Sequence, residues 1–217
     1  GRKMFFAQAL SFELEKLKNK GFPWHIGTQS FGYHHHQDFG CTIWAPLAAI
    51  NPRGQRGGMA YVPKSAVNGE YLYSHIDPSV FRMLQDKIDA GEQPTTDDFV
   101  QWRDGPLNDP ATKAILDHFG VEDEFEPGDA LIFDKYVIHR SIMLGEGDIE
   151  SRAAFVMRFF CKESTYDAER ARALEIPRNF FKYAGPTKFH LEVATVEGER
   201  LSDSALFADQ PYRDLSR

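Results

Sequence analysis

His36 and Asp38 stand one residue apart in the run Tyr33-His34-His35-His36-Gln37-Asp38-Phe39-Gly40. On an extended strand, residues i and i+2 project from one face, so the spacing predicts an imidazole and a carboxylate offered to one metal ion. A third ligand is needed, and His139, in Phe133-Asp134-Lys135-Tyr136-Val137-Ile138-His139-Arg140-Ser141, is the best candidate. Two imidazoles and one carboxylate on one face of a metal leave the opposite positions open, the donor set of non-haem Fe(II) sites that activate O2. A dicarboxylate co-substrate chelating such a metal needs a cation at its far end. Arg152 is the choice, because a planar guanidinium grips a carboxylate with two parallel N–H bonds, as lysine cannot. Ser141 lies two residues past His139 and can donate to the same carboxylate. Arg158 shares the strand face of Arg152 and is the alternative anchor.

The other histidines have less company. His34 shares the face of His36 on a strand and is a candidate for the pocket wall, while His35 points away. His25, His75, His118 and His190 read as surface or hydrogen-bonded core residues.

The elements that must carry these residues are mostly short strands. Residues 4–19 repeat apolar positions at three and four (Leu10, Leu14, Leu17) and predict an amphipathic helix closed by Gly21 and Pro23. The apolar run from Cys41 to Ile50 reads as a buried strand, and Met59 to Pro63 as another after the turn around Gly57 and Gly58. Helical spacing returns at 78–90 and 110–119, inside a lid-like insertion at about 66–125 that separates the two halves of the expected metal site. Pro127-Gly128 opens a strand through Phe133. In 151–160, Arg152, Ala154, Val156 and Arg158 share one face and Ala153, Phe155, Met157 and Phe159 the other. Phe189, Leu191, Val193 and Val196 alternate as a further strand or edge would, and the last dozen residues read as a polar tail. Several short strands joined by Gly/Pro turns, with helices added, describe a mainly β jelly roll forming a single domain over residues 1–217.

Composition narrows the partners. Lys and Arg total 25 against 32 Asp and Glu, a net charge of -7 with no basic run, which disfavours nucleic acid. The two cysteines form no disulfide framework and suit a reducing cytoplasm. No apolar run approaches the roughly 18 residues of a membrane span, and the first residues lack a signal-peptide layout. A cytoplasmic protein acting on a small molecule, away from membranes, is expected.

The ordered set His36-Gln37-Asp38, Ile43-Trp44-Ala45-Pro46-Leu47, Gly57-Gly58-Met59-Ala60-Tyr61-Val62-Pro63-Lys64-Ser65, Pro127-Gly128-Asp129-Ala130-Leu131-Ile132-Phe133 and His139-Arg140-Ser141 with Arg152 resembles the phytanoyl-CoA dioxygenase family, over roughly residues 29–160. These are Fe(II)- and 2-oxoglutarate-dependent oxygenases on a double-stranded β-helix, a cupin-like jelly roll. The resemblance implies His36, Asp38 and His139 as iron ligands, Arg152 and Ser141 at the distal carboxylate of 2-oxoglutarate, and Trp44 in its pocket. Gln29 belongs to the one stretch before the first ligand able to touch the co-substrate. It also implies O2 as oxidant, succinate and CO2 as products, and hydroxylation or another oxidation of a substrate C–H bond. The acidic balance favours a small metabolite or natural-product intermediate over an acyl-CoA, whose phosphates call for a basic patch. A metal-dependent isomerase or hydrolase, using the cation as a Lewis acid and indifferent to 2-oxoglutarate, is the alternative.

Overall fold

The computed structural model describes residues 3–18, 21–95, 97–98, 105–181, 192–194 and 196–207. Two antiparallel sheets carry the chain. Strands β1 (Met4–Glu15), β2 (Gly40–Pro46), β3 (Met59–Tyr61), β4 (Val121–Glu122), β5 (Leu131–Asp134), β6 (His139–Ser141) and β7 (Ser151–Cys161) divide into a four-stranded sheet of order β1-β7-β2-β5 and a three-stranded sheet of order β4-β3-β6. β7 is central in the larger sheet, and its alternation holds: Arg152, Ala154, Val156, Arg158 and Phe160 are buried, whereas Phe155 is exposed.

The first element is a strand, not the helix that the three-and-four spacing predicts. Leu10 and Leu14 fit a period of two as well as a helical one. Phe12 between them, which a helix would turn away, shares their inward face. The register with β7 shifts between Phe6 and Gln8, and the bulge hides the alternation in the first residues.

Between β3 and β4 run α2 (Asp77–Asp89) and α3 (Pro110–Phe119), where helical spacing predicts them. Asp109 caps α3 by accepting from the Ala111 and Thr112 amides, and Pro110 occupies its first turn, where a missing N–H costs nothing. Leu116 of α3 packs into a core with Trp24, Ile26, Tyr73 and Ile138, so this helix supports the segment preceding the expected ligands. Phe81 and Leu84 of α2 pack against Leu174 and Ile176, next to α4 (Ala168–Ala173). Of the expected late strand, Phe189 and Leu191 lie outside the described residues, as does the polar tail from 208 onward; no strand includes Val193 or Val196. No helix among the described residues is long and apolar enough to cross a membrane.

Candidate active site

A cavity of about 530 Å³ opens between the sheets. Phe12 and Leu14 of β1, Trp44 of β2, Met59 of β3 and Phe133 of β5 give it an apolar wall, into which His139, Ser141, Arg152 and Arg158 project. Four of the expected site residues, His139, Ser141, Arg152 and Trp44, thus line one space. Gln29 lies in the short helix α1 (Thr28–Phe31), and its side chain falls outside the described set.

His139 is positioned by its backbone. Its N–H donates to the His25 carbonyl and its own carbonyl accepts from the His25 N–H, both at 2.9 Å, a two-bond bridge that adds Trp24-His25-Ile26 to the edge of β6. The two rings are brought to 4.1 Å between centroids. Each ring is fixed in the same way: His25 Nδ1 lies 2.8 Å from the Pro23 carbonyl and His139 Nδ1 lies 2.8 Å from the Val137 carbonyl. A carbonyl only accepts, so each Nδ1 carries a proton. Burial, the adjacent His25 ring and the charge of Arg158 hold His139 well below the usual imidazole value, so it is neutral.

Arg152 is 4 % exposed, and its Nε and Nη1 have no hydrogen-bond partner. Burial alone shifts its guanidinium downward. Gly57, at φ 81°, makes room for it: a Cβ there would stand 2.7 Å from Arg152 Nη1. A buried guanidinium with unpartnered nitrogens is costly, and a ligand carboxylate would remove that cost. These residues fit a bound dicarboxylate. Also lining the cavity, Thr28 donates to the buried carboxyl of Asp77, which burial pushes up to about 7 despite that bond. Lys135 also lines the space. Its Nζ donates to the His35 carbonyl at 2.7 Å and sits 4.5 Å from the centre of the Tyr73 ring, and burial pulls its pKa to about 7.

His36 and Asp38 are elsewhere. The Asp38 N–H donates to the His35 carbonyl at 3.1 Å, so 35–38 is a turn and the strand-face geometry expected of His36 and Asp38 does not form. The Asp38 carboxylate accepts from the Thr165 N–H at 2.7 Å and from its hydroxyl at 3.1 Å. His36 is exposed, and its carbonyl accepts from the Tyr136 hydroxyl. His35 Nε2 lies 2.9 Å from Glu197, and His34 is buried among Phe31, Tyr33 and Phe160 with neither ring nitrogen partnered. Neither His36 nor Asp38 borders the cavity, and among the described residues no group of three His, Cys, Asp or Glu is placed to hold a metal ion. Of the expected metal ligands, His139 alone borders the cavity. His25, read from the sequence as surface or core, borders it too. Its signal is faint: a single Pro23-Trp24-His25-Ile26-Gly27 stretch whose strand partner comes a hundred residues later.

Neither a family model nor a curated protein matches the chain. Among solved structures, the non-heme alpha ketoglutarate dependent carbocyclase SnoK from nogalamycin biosynthesis matches with a TM-score of 0.52 at 14 % identity, covering 91 % of this chain and 59 % of that one. The epimerase SnoN from the same biosynthesis matches with a TM-score of 0.50, again at 14 % identity, 91 % and 59 %. The non-heme monooxygenase ThoJ in complex with nickel matches with a TM-score of 0.46 at 12 % identity, covering 75 % of this chain and 46 % of that one. The chain thus spans about half to three fifths of the length of these structures. It shares its fold with the non-heme alpha ketoglutarate dependent enzymes SnoK and SnoN.

Proposed function

We propose that this protein is a non-haem iron, 2-oxoglutarate-dependent oxygenase on a double-stranded β-helix, oxidising a C–H bond of a small metabolite or natural-product intermediate. The observation that carries the reading is Arg152: a buried guanidinium whose Nε and Nη1 are unpartnered, on the wall of a cavity that also holds the His139 imidazole. Iron bound there would use O2 to oxidise the substrate while 2-oxoglutarate is converted to succinate and CO2.

The chain's own residues bind, orient and exclude water. Arg152 takes the distal carboxylate of the co-substrate bidentately, and the Ser141 hydroxyl donates to the same group. Trp44, Met59 and Phe133 supply the apolar wall that keeps bulk water from the reacting centre. The Val137 carbonyl, 2.8 Å from His139 Nδ1, orients the His139 ring in the cavity. A cavity of about 530 Å³ must contain co-substrate and substrate together, which limits the substrate to a compact molecule.

The test is anaerobic addition of Fe(II) and 2-oxoglutarate, which produces the weak visible charge-transfer band of the chelate. Arg152→Ala weakens 2-oxoglutarate binding by at least about tenfold, the loss of a charge-assisted hydrogen-bond pair, and Arg158→Ala weakens it less. The reverse order transfers the anchor to Arg158. No band, together with no succinate in air from any substrate pool, sinks the oxygenase reading.

A further inference from the structure

We propose that Asp77 is a recognition residue of this cavity, its carboxylate binding a protonated amine on the substrate. The proposal deepens the oxygenase reading, from which it takes only that a substrate occupies the cavity.

Asp77 is aimed into the cavity by a local widening of its helix. The π-helical turn Leu72–Ile76 leads into α2, and the Asp77 N–H donates to the Leu72 carbonyl, five residues back. Five residues of α-helix turn through about 500°, which would set these two side chains about 140° apart, whereas the wider turn brings them to one side. Leu72, Ile76 and Asp77 accordingly border the cavity together. Thr28, which donates to Asp77 Oδ2, follows His25 by three residues, at most about 11 Å of chain from the segment bridged to His139. The carboxylate and the His139 imidazole thus stand a small molecule's length apart on one wall.

Among the described residues no cation is in contact with Asp77. It is 9 % exposed, and of the described side chains Thr28 alone bonds its carboxylate, which leaves Oδ1 for a ligand. Arg170 acts on it only through space: its Nη2 donates to the Tyr73 carbonyl at 2.8 Å and its guanidinium lies 4.1 Å from the centre of the Tyr73 ring. Lys135 also borders the cavity, but its Nζ is engaged by the His35 carbonyl and the Tyr73 ring. A ligand hydroxyl would add one hydrogen bond at Asp77. An ammonium adds a counter-charge as well, which offsets the cost of burying a carboxylate. Glu13, the other acid of the described lining, is exposed, so the buried cation site belongs to Asp77. The same charge repels a dicarboxylate and so keeps 2-oxoglutarate on Arg152.

The experiment uses neither iron, O2 nor 2-oxoglutarate, so it can fail while the oxygenase reading stands, and the converse. Cyclohexylammonium and cyclohexanol, probes of one shape that differ in charge, are titrated into the full-length chain by calorimetry at about pH 8, where carboxylate and ammonium coexist. The parent binds the amine at least about tenfold more tightly than the alcohol, and Asp77→Asn loses that preference, the difference made by one charge-assisted hydrogen bond. No amine binding, equal affinities for the two probes in the parent, or an undiminished preference in Asp77→Asn overturns the proposal. If Asp77→Asn does not fold, nuclear Overhauser effects in the parent decide. Contacts from the amine's ring to the methyl groups of Leu72 and Ile76 support the site; an amine bound without them refutes it.

Discussion

Two neighbouring histidine segments, 23–27 and 34–38, have opposite fates in this fold. The first carries a single histidine and no acid, yet its backbone is bridged to β6 and its ring faces the cavity. The second carries three histidines and an aspartate, and its side chains are spent on the segments that follow β7: Asp38 on Thr165, His35 on Glu197 and Asp167. The difference lies in backbone conformation, not in donor chemistry. A His-x-Asp spacing presents two ligands together only while the chain is extended, and one hydrogen bond from the Asp38 amide to the His35 carbonyl is enough to end that.

The comparison breaks most visibly at Trp24. This side chain is 1 % exposed, its Nε1 donates to Asp117 at 2.9 Å, Arg140 stacks 4.8 Å from its ring, and its carbonyl accepts from Asn108. The insertion between β3 and β4 therefore holds the His25 segment in place. Trp24→Ala costs about 3–5 kcal/mol through the cavity it leaves, whereas His36→Ala, on the exposed turn, stays within about 0.5 kcal/mol. Chemical denaturation of the two variants measures this directly. Equal midpoints would mean that the first segment is no better anchored than the second.

Much of this was legible in the residues and some could not be. β7 announces itself because its polar members, Arg152 and Arg158, fall on the same alternating face as Ala154 and Val156, and both arginines reach the cavity. α2 and α3 are long enough for their period to show. β1 was not legible as a strand, since Leu10 and Leu14 satisfy both periods and the bulge near Gln8 breaks the count. That His25 would border the cavity was not legible, because a pair of backbone bonds to a strand far along the chain puts it there. The turn at 35–38 hides for the same reason: its side-chain partners, Thr165 and Glu197, come long after it.

A smaller effect sharpens the role of the second segment. If Asp38 serves the fold by receiving the Thr165 amide and hydroxyl, Asp38→Ala removes charge-assisted hydrogen bonds and costs roughly 1.5–3 kcal/mol of stability. Asp38→Asn, which keeps an acceptor oxygen, recovers most of it. Thermal and urea unfolding of both variants give the numbers. An Asp38→Ala protein with parental stability and abolished metal binding would return Asp38 to the ligand set.

The buried Asp77–Thr28 pair on the cavity wall responds to pH. Asp77, beside Thr28, is buried and its pKa is raised to about 7, so between pH 4 and 7 the unfolded chain has released this proton while the folded chain retains it. Stability from this group therefore falls as pH rises through that window, by up to about 1.4 kcal/mol per pH unit, and stays level above it. Arg170 is the charged group that opposes the shift, and the Thr28 bond acts in the same direction. Asn at position 77 keeps an acceptor for Thr28 and has no proton to lose. Asp77→Asn should gain on the parent as pH is raised from 5 to 6, by about 1 kcal/mol, and should gain nothing further above pH 7.5. Parallel stability curves for parent and variant from pH 4 to 8 would mean that Asp77 ionises in the fold as an ordinary carboxylate does, leaving a negative charge on the cavity wall near the His25 segment.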